Sequence, residues 1–270
     1  MIRIALGVEY DGSRFLGWQT QPGGGTVQDV LEAALSRVAS TPVSVTCAGR
    51  TDRGVHARGQ VVHFDTLAER PVSAWVRGVN AFLPDTVAVL WAVRAIEGFH
   101  ARYAALSRTY RYALLNRPVR PALHAARVGW FHAPLDLEAM RAGASCFLGE
   151  HDFSAFRSSE CQARSPVRTI QRFDLEEGVT ECSGRQIVFS VRANAFLHHM
   201  VRNLVGTLIH IGKGARPPAW AAEVLASRDR SLAAPTFAPD GLSLEHVEYG
   251  PQWGLPGEAP LALQRPQLCA

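Results

Sequence analysis

The chain has 270 residues, of which 47% are hydrophobic and 19% charged, enough for one large core or two modest ones and unlike a disordered chain. The opening MIRIALGVEYDG has no long apolar run and no small-residue cleavage site, and no stretch of about 18 apolar residues follows, so neither a signal peptide nor a membrane span is expected. Net charge is +4, and Lys213 is the only lysine among 28 lysines and arginines; this arginine excess permits a nucleic-acid partner, through bidentate phosphate contacts and base stacking, without establishing one.

Residues 2–10 alternate, with Ile2, Ile4, Leu6, Val8 and Tyr10 on one face, and predict a half-buried strand. Glycine-containing turns follow, with Phe15 and Trp18 among them. Thr26 opens a helix with Asp29 three positions on, resembling a capping box, and Val27, Val30, Leu31, Ala34, Leu35 and Val38 form its apolar stripe. Short strands are expected at about 43–48 and 60–66, with Gly49–Gly59 as the loop between them. A helix over 73–82, capped by Ser73, and a strand over 86–94 complete a β-α-β-β-α-β order, the split, ferredoxin-like pattern.

The order then repeats loosely. A strand at 107–116 leads to a helix at 136–148, strands near 167–176 and 185–193, helices at 195–211 and 218–227, and a last strand near 242–249. The expected fold is therefore α+β: a first half over 1–105 and a second over 106–270, with mostly antiparallel sheets and a cleft between the halves. The tail from Gly250 reads as an irregular strap.

Two chemistries find little support. Cys47, Cys146, Cys161, Cys182 and Cys269 are odd in number, widely spaced and without a CxxC pair, which speaks for reduced thiols in a cytoplasmic protein and against a zinc site or disulfide framework. Gly23-Gly24-Gly25 and Gly212-Lys213-Gly214 lack the context of a phosphate loop, and the second reads as a helix end. No ligand cluster or nucleotide fingerprint is present, so no metal or organic cofactor is expected. His198 and His199 are read as adjacent helix residues facing different ways, better suited to packing or an RNA contact than to a metal.

The most informative segment is Gly49–Gly59, where Arg50, Arg53 and Arg58 surround the single carboxylate of Asp52. One reading is a solvated loop with its charge neutralised locally. The other is a nucleophile or base held ionised by adjacent cations, which also grip phosphates flanking a reacting nucleotide.

The run GRTDRGVHARGQVVHF closely resembles the catalytic motif of the tRNA pseudouridine synthase A family. EYDGSRFLGWQ, GFHARYAALSRTYRY, LGEHDFSAFR and ANAFLHHMVRN resemble the same family in the same order, so the likeness spans roughly residues 2–249. The resemblance implies the pseudouridine synthase fold and an isomerase that turns uridine into pseudouridine at positions 38, 39 and 40 of the tRNA anticodon stem-loop, acting as a homodimer without cofactor or membrane. It implies that Asp52 is the catalytic carboxylate, Tyr110 the active-site tyrosine that stacks on an extruded uracil, and Arg202 an ion-pair partner of Asp52. Arg50 matches a residue that displaces the target base, Arg102 lies in a segment resembling the RNA-binding channel, and Arg58 and His199 are further expected RNA contacts. A catalytically silent RNA-binding module of the same fold is the alternative, and intact Asp52, Tyr110 and Arg202 argue against it. A metal-dependent hydrolase or small-molecule glycosidase lacks ligand spacing and a clear carboxylate pair.

Overall fold

The computed structural model describes residues 1–178 and 184–256. The chain divides into two compact units: Met1–Ser107 with the described residues from Ser243 onward, and Arg108–Leu242. Cys182, Cys269 and the tail beyond residue 256 lie outside the described residues.

The first unit begins with β1 (Ile2–Tyr10), α1 (Val27–Ala39), β2 (Thr46–Cys47), β3 (His56–Thr66), α2 (Val72–Asn80) and β4 (Val87–Arg94). β1 pairs antiparallel with both β3 and β4, and β2 pairs antiparallel with β3. Ile4, Leu6 and Val8 of β1, Leu31 and Leu35 of α1, Phe64 of β3 and Trp75 and Val79 of α2 are all buried. The Phe64 and Trp75 rings meet edge to face at 5.1 Å. The capping box at α1 forms as the spacing predicts: Asp29 N donates to Thr26 Oγ1 at 3.3 Å and Thr26 N donates to Asp29 Oδ2 at 3.1 Å. Such a cap is worth about 1 kcal/mol.

The second unit takes up β5 (Ala105–Asn116), β6 (Gly129–Phe131), α3 (Leu137–Ser145), β7 (Gly149–Asp152), β8 (Val167–Gly178), β9 (Arg185–Ala193), α4 (Met200–Gly212) and α5 (Trp220–Ser227). The unit boundary falls inside β5, after Ser107. β5, β8 and β7 extend an antiparallel sheet through β9, while β6 pairs parallel with β5. Phe147, Phe153, Phe156 and Phe189 are fully buried with Met140, Leu204 and Leu208. No described helix is long and apolar enough to cross a membrane.

β10 (Leu242–Tyr249) comes last in the chain and pairs parallel with β3, Ser243 beside His56 and Leu244 beside Ala57. The stretch from Ser243 thus belongs with the first unit, not with the continuous run over 106–270 read from sequence order. A Cβ on Gly59 would sit 2.4 Å from the Glu245 carbonyl oxygen, so the bare glycine permits this close approach.

Several elements differ from the sequence reading, each for a local reason. β1 is buried on both faces through Ala5 and Gly7, because the Trp91 ring of β4 lies where a Gly7 side chain would be. β3 starts at His56 rather than near 60, since its parallel partner orders the preceding residues. α2 is preceded by Pro71 with no side-chain cap, so Ser73 is inside the helix. α4 starts at Met200 rather than 195, because His199 takes a left-handed conformation with φ 64°.

Candidate active site

Asp52 stands, half-buried, on a turn immediately before β3. The turn closes with Val55 N donating to the Asp52 carbonyl at 3.1 Å, and Gly54 takes φ 80°. A left-handed residue here favours glycine, which pays no Cβ penalty.

The segment after β1 grips this turn through its backbone. Trp18 N donates to the Thr51 carbonyl at 3.0 Å. Gly17, at φ 106°, packs so tightly that a Cβ would lie 2.9 Å from the same oxygen. A Cβ on Gly12 would lie 2.0 Å from the Val55 carbonyl oxygen. From below, the Tyr10 hydroxyl shares a 2.8 Å hydrogen bond with Thr51 Oγ1, and Gln60 Nε2 donates to the Gly49 carbonyl at 2.6 Å. Burial pushes the Tyr10 pKa upward, so its hydroxyl stays protonated. The Tyr10 and Trp18 rings, both buried, lie 5.8 Å apart.

The motif drew attention to Asp52 and its arginines but not to this clamp of Tyr10, Gly12, Gly17, Thr51 and Gln60. The signal for it in the sequence is the run EYDGSRFLGWQ, with its closely spaced glycines and aromatics.

The arginines around Asp52 diverge. Arg50 and Arg53 are exposed at the turn. Arg58 is exposed on β3, not in a loop, and lies 3.7 Å from Glu245. Arg102 is exposed in the turn before β5, and both it and Arg50 act on the Cys47 thiol. Burial pushes that thiol up to about 12, and the two guanidinium groups oppose the push. That cysteine is therefore too weakly acidic to be a nucleophile.

The remaining expected residues belong to the second unit. Tyr110 is 8% exposed on β5, its ring edge to face with Phe196 at 5.0 Å. Tyr112 shares that face but is fully buried, and its hydroxyl donates to the Ala238 carbonyl at 2.9 Å, so it is a core residue. Arg202, half-buried in the first turn of α4, donates from Nε to the Phe237 carbonyl at 2.8 Å. Next to it, buried Asn203 donates to the Phe156 carbonyl at 2.7 Å and accepts from Thr236 Oγ1 at 2.7 Å and from Arg230 at 3.1 Å. The sequence carries no sign of this anchor, because a buried asparagine leaves no periodic signature.

His198 and His199 do not lie on the helix as expected. The left-handed backbone of His199 brings their rings to 4.0 Å instead of pointing them apart. A non-glycine residue held there stores of order 1 kcal/mol of strain, a pattern common at functional sites.

The family model described as tRNA pseudouridine synthase matches residues 7–104 and 144–250. The chain is 60% identical over 255 residues to a tRNA pseudouridine synthase A of Dechloromonas aromatica, covering 94% of this chain and 95% of the relative. It is 60% identical over 257 residues to that of Aromatoleum aromaticum, with 95% and 96% covered. The relative from Bordetella petrii is also 60% identical over 257 residues, with 94% of each chain covered.

Proposed function

This chain belongs to the tRNA pseudouridine synthase family, a family of isomerases, and on that premise we propose that it converts uridine to pseudouridine at positions 38, 39 and 40 of the tRNA anticodon stem-loop. In this reading Asp52 is the catalytic carboxylate, and Tyr110 and Arg202 act on the same nucleotide. Arg50, Arg58, Arg102 and His199 contact the RNA. The enzyme works as a cytoplasmic homodimer, a state that sedimentation of the protein with and without tRNA would check.

The observation that carries the reading is the clamped turn. Its backbone is gripped by Trp18, Gly17 and Gln60, and its Thr51 side chain by Tyr10. A carboxylate so fixed beside exposed arginines suits chemistry at a sugar carbon flanked by phosphates.

The reaction balances within one nucleotide. The bond from ribose C1′ to uracil N1 breaks, a bond from C1′ to C5 forms, C5 loses a proton and N1 gains one. Nothing is oxidised or reduced, so the step needs no redox partner. Asp52 supplies negative charge where the sugar carbon becomes electron-poor. A tyrosine ring beside an extruded base offers stacking, and its hydroxyl a proton relay.

The test is incubation of the full chain with an unmodified tRNA transcript, followed by site-resolved mapping of pseudouridine. Product at 38, 39 or 40 is expected. Product confined to other positions would overturn the site assignment, and none at any uridine would overturn the activity.

A further inference from the structure

A chain of rings in the first unit leads from the core to the surface. Phe99, fully buried, packs against Tyr249 at 5.4 Å, Trp253 at 5.5 Å and His63 at 6.1 Å. The His63 ring lies 4.7 Å from His100, and His100 stacks on Tyr103 at 4.3 Å with 27° between planes. The series ends at Tyr103, which is 78% exposed.

Ordinary packing does not account for so exposed a ring. Tyr103 is nonetheless held in place. His100 Nδ1 accepts from both Arg102 N and Tyr103 N at 3.2 Å, and Ala104 N donates to the His100 carbonyl at 2.9 Å. The Tyr249 hydroxyl donates to the Ala101 carbonyl at 2.6 Å, and Arg3 donates to the Phe99 carbonyl at 2.7 Å. Because Nδ1 accepts, the His100 ring proton sits on Nε2. Burial, and the positive charge of Arg3 and Arg102, hold the His100 pKa below its usual value and preserve that arrangement. The Arg102 guanidinium lies 5.8 Å from the Tyr103 ring centre.

A ring held by stacking on one side, 78% exposed, with a guanidinium 5.8 Å from its centre, is the arrangement that receives an unpaired nucleobase next to a phosphate. We infer that Tyr103 is a stacking platform for an unpaired base of the RNA substrate, with His100 as its positioning residue and Arg102 gripping the adjoining backbone. This rests on the proposed reading that the substrate is tRNA, whose anticodon loop offers unpaired bases. Ala101 N donates to His63 Nδ1 at 3.2 Å, and His63 lies on β3, the strand into which the Asp52 turn leads. On this reading Tyr103 serves binding, not bond making.

The test compares Tyr103→Ala, Tyr103→Phe and Arg102→Ala in the full chain, measuring affinity for an unmodified tRNA transcript at low and moderate salt, together with KM, kcat and Tm. Losing one base–aromatic stack should weaken affinity and raise KM roughly tenfold in Tyr103→Ala. Its kcat should change less than about twofold and its Tm should hold, since so exposed a ring adds little to the core. Tyr103→Phe should bind like the unchanged protein. Arg102→Ala should flatten the salt dependence, whereas Tyr103→Ala should leave the slope alone, because stacking releases no counterions. Unchanged affinity in Tyr103→Ala would overturn the platform, as would a Phe variant as weak as Ala, which would assign the effect to the hydroxyl. If the unchanged protein binds tRNA but makes no pseudouridine, the proposed activity fails while the stacking result stands or falls separately.

Discussion

In the first unit the turn carrying Asp52 is gripped almost wholly through its backbone, by Trp18 N, by the close approach of Gly17 and by Gln60 on the Gly49 carbonyl. In the second unit Arg202 rides on a regular helix, and what is gripped is a side chain, with Asn203 tying α4 to Phe156, Thr236 and Arg230. A turn has no hydrogen-bond ladder of its own, so fixing a reactive group on it requires contacts to its peptide groups from elsewhere. A helix brings its own ladder and needs only to be anchored as a body. The two regions should therefore fail differently: the turn by misplacing one carboxylate, the helix by loosening its unit.

The largest effect is expected at Asp52 itself. Asp52→Asn keeps size and removes charge, and isomerisation should fall at least about a thousandfold, roughly 4 kcal/mol of transition-state stabilisation. tRNA affinity should persist, because arginine–phosphate contacts are untouched. Turnover and affinity measured on one preparation decide the matter, and retained turnover would remove Asp52 from the mechanism.

Gly17→Ala attacks the grip rather than the carboxylate. The new Cβ meets the Thr51 carbonyl oxygen at 2.9 Å and the residue must hold φ 106°, so the turn has to shift. A displacement of about 1 Å at a reacting group costs on the order of a hundredfold in rate. Single-turnover kinetics should show that loss beside near-normal tRNA binding. Near-normal turnover would show that the turn keeps its place without this contact.

Asn203→Ala should invert the pattern. Removing a buried amide takes the donor from the Phe156 carbonyl and the shared acceptor from Thr236 and Arg230, at about 2–3 kcal/mol, lowering Tm by roughly 5–10 °C for a domain of this size. Turnover of the folded fraction should drop less than about tenfold, since Arg202 keeps its helix. Calorimetry paired with activity well below Tm checks this, and a large rate loss at unchanged Tm would contradict the anchoring role.

The sequence pattern made the elements legible where they carry a stripe or a cap. α1 is visible through Thr26, Asp29 and its apolar spacing, and β8 and β9 through their runs. It hid what depends on distant partners. The start of β3 at His56 follows from pairing with β10, nearly two hundred residues later. The histidine pair departs from a helix because one residue, His199, is left-handed. For the site, Asp52 and its arginines stood out by composition and resemblance. The clamp did not, because Gly17 and Gln60 act on main-chain atoms, which leave no chemical mark on the residue contacted, and the Tyr10 hydroxyl meets Thr51 from 41 residues away.

The smallest expected effect tests the side-chain part of the clamp. The Tyr10 hydroxyl is shared with Thr51 Oγ1 at 2.8 Å, and Gln60 Nε2 reaches it at 3.4 Å. All three side chains are buried. Tyr10→Phe keeps the ring beside Trp18 and deletes only the oxygen, leaving the Thr51 hydroxyl without that partner in a dry place. The cost should be about 1 kcal/mol, since Gln60 retains its stronger bond to the Gly49 carbonyl. Thr51→Val should cost a similar amount by leaving the Tyr10 hydroxyl with only its longer contact from Gln60 Nε2. Together the two changes replace both partners by apolar groups of nearly the same shape, which is close to neutral where either change alone is not. The double variant should therefore be more stable than the sum of the single losses, by a coupling of about 1 kcal/mol. Denaturant unfolding of the four proteins measures it. Turnover should follow, falling a few-fold in each single variant and recovering in part in the double, because the backbone grip of Trp18 and Gly17 remains in all of them. Strict additivity of the stability losses would show that the hydroxyl pair does not hold the Asp52 turn, and that the backbone contacts alone fix it.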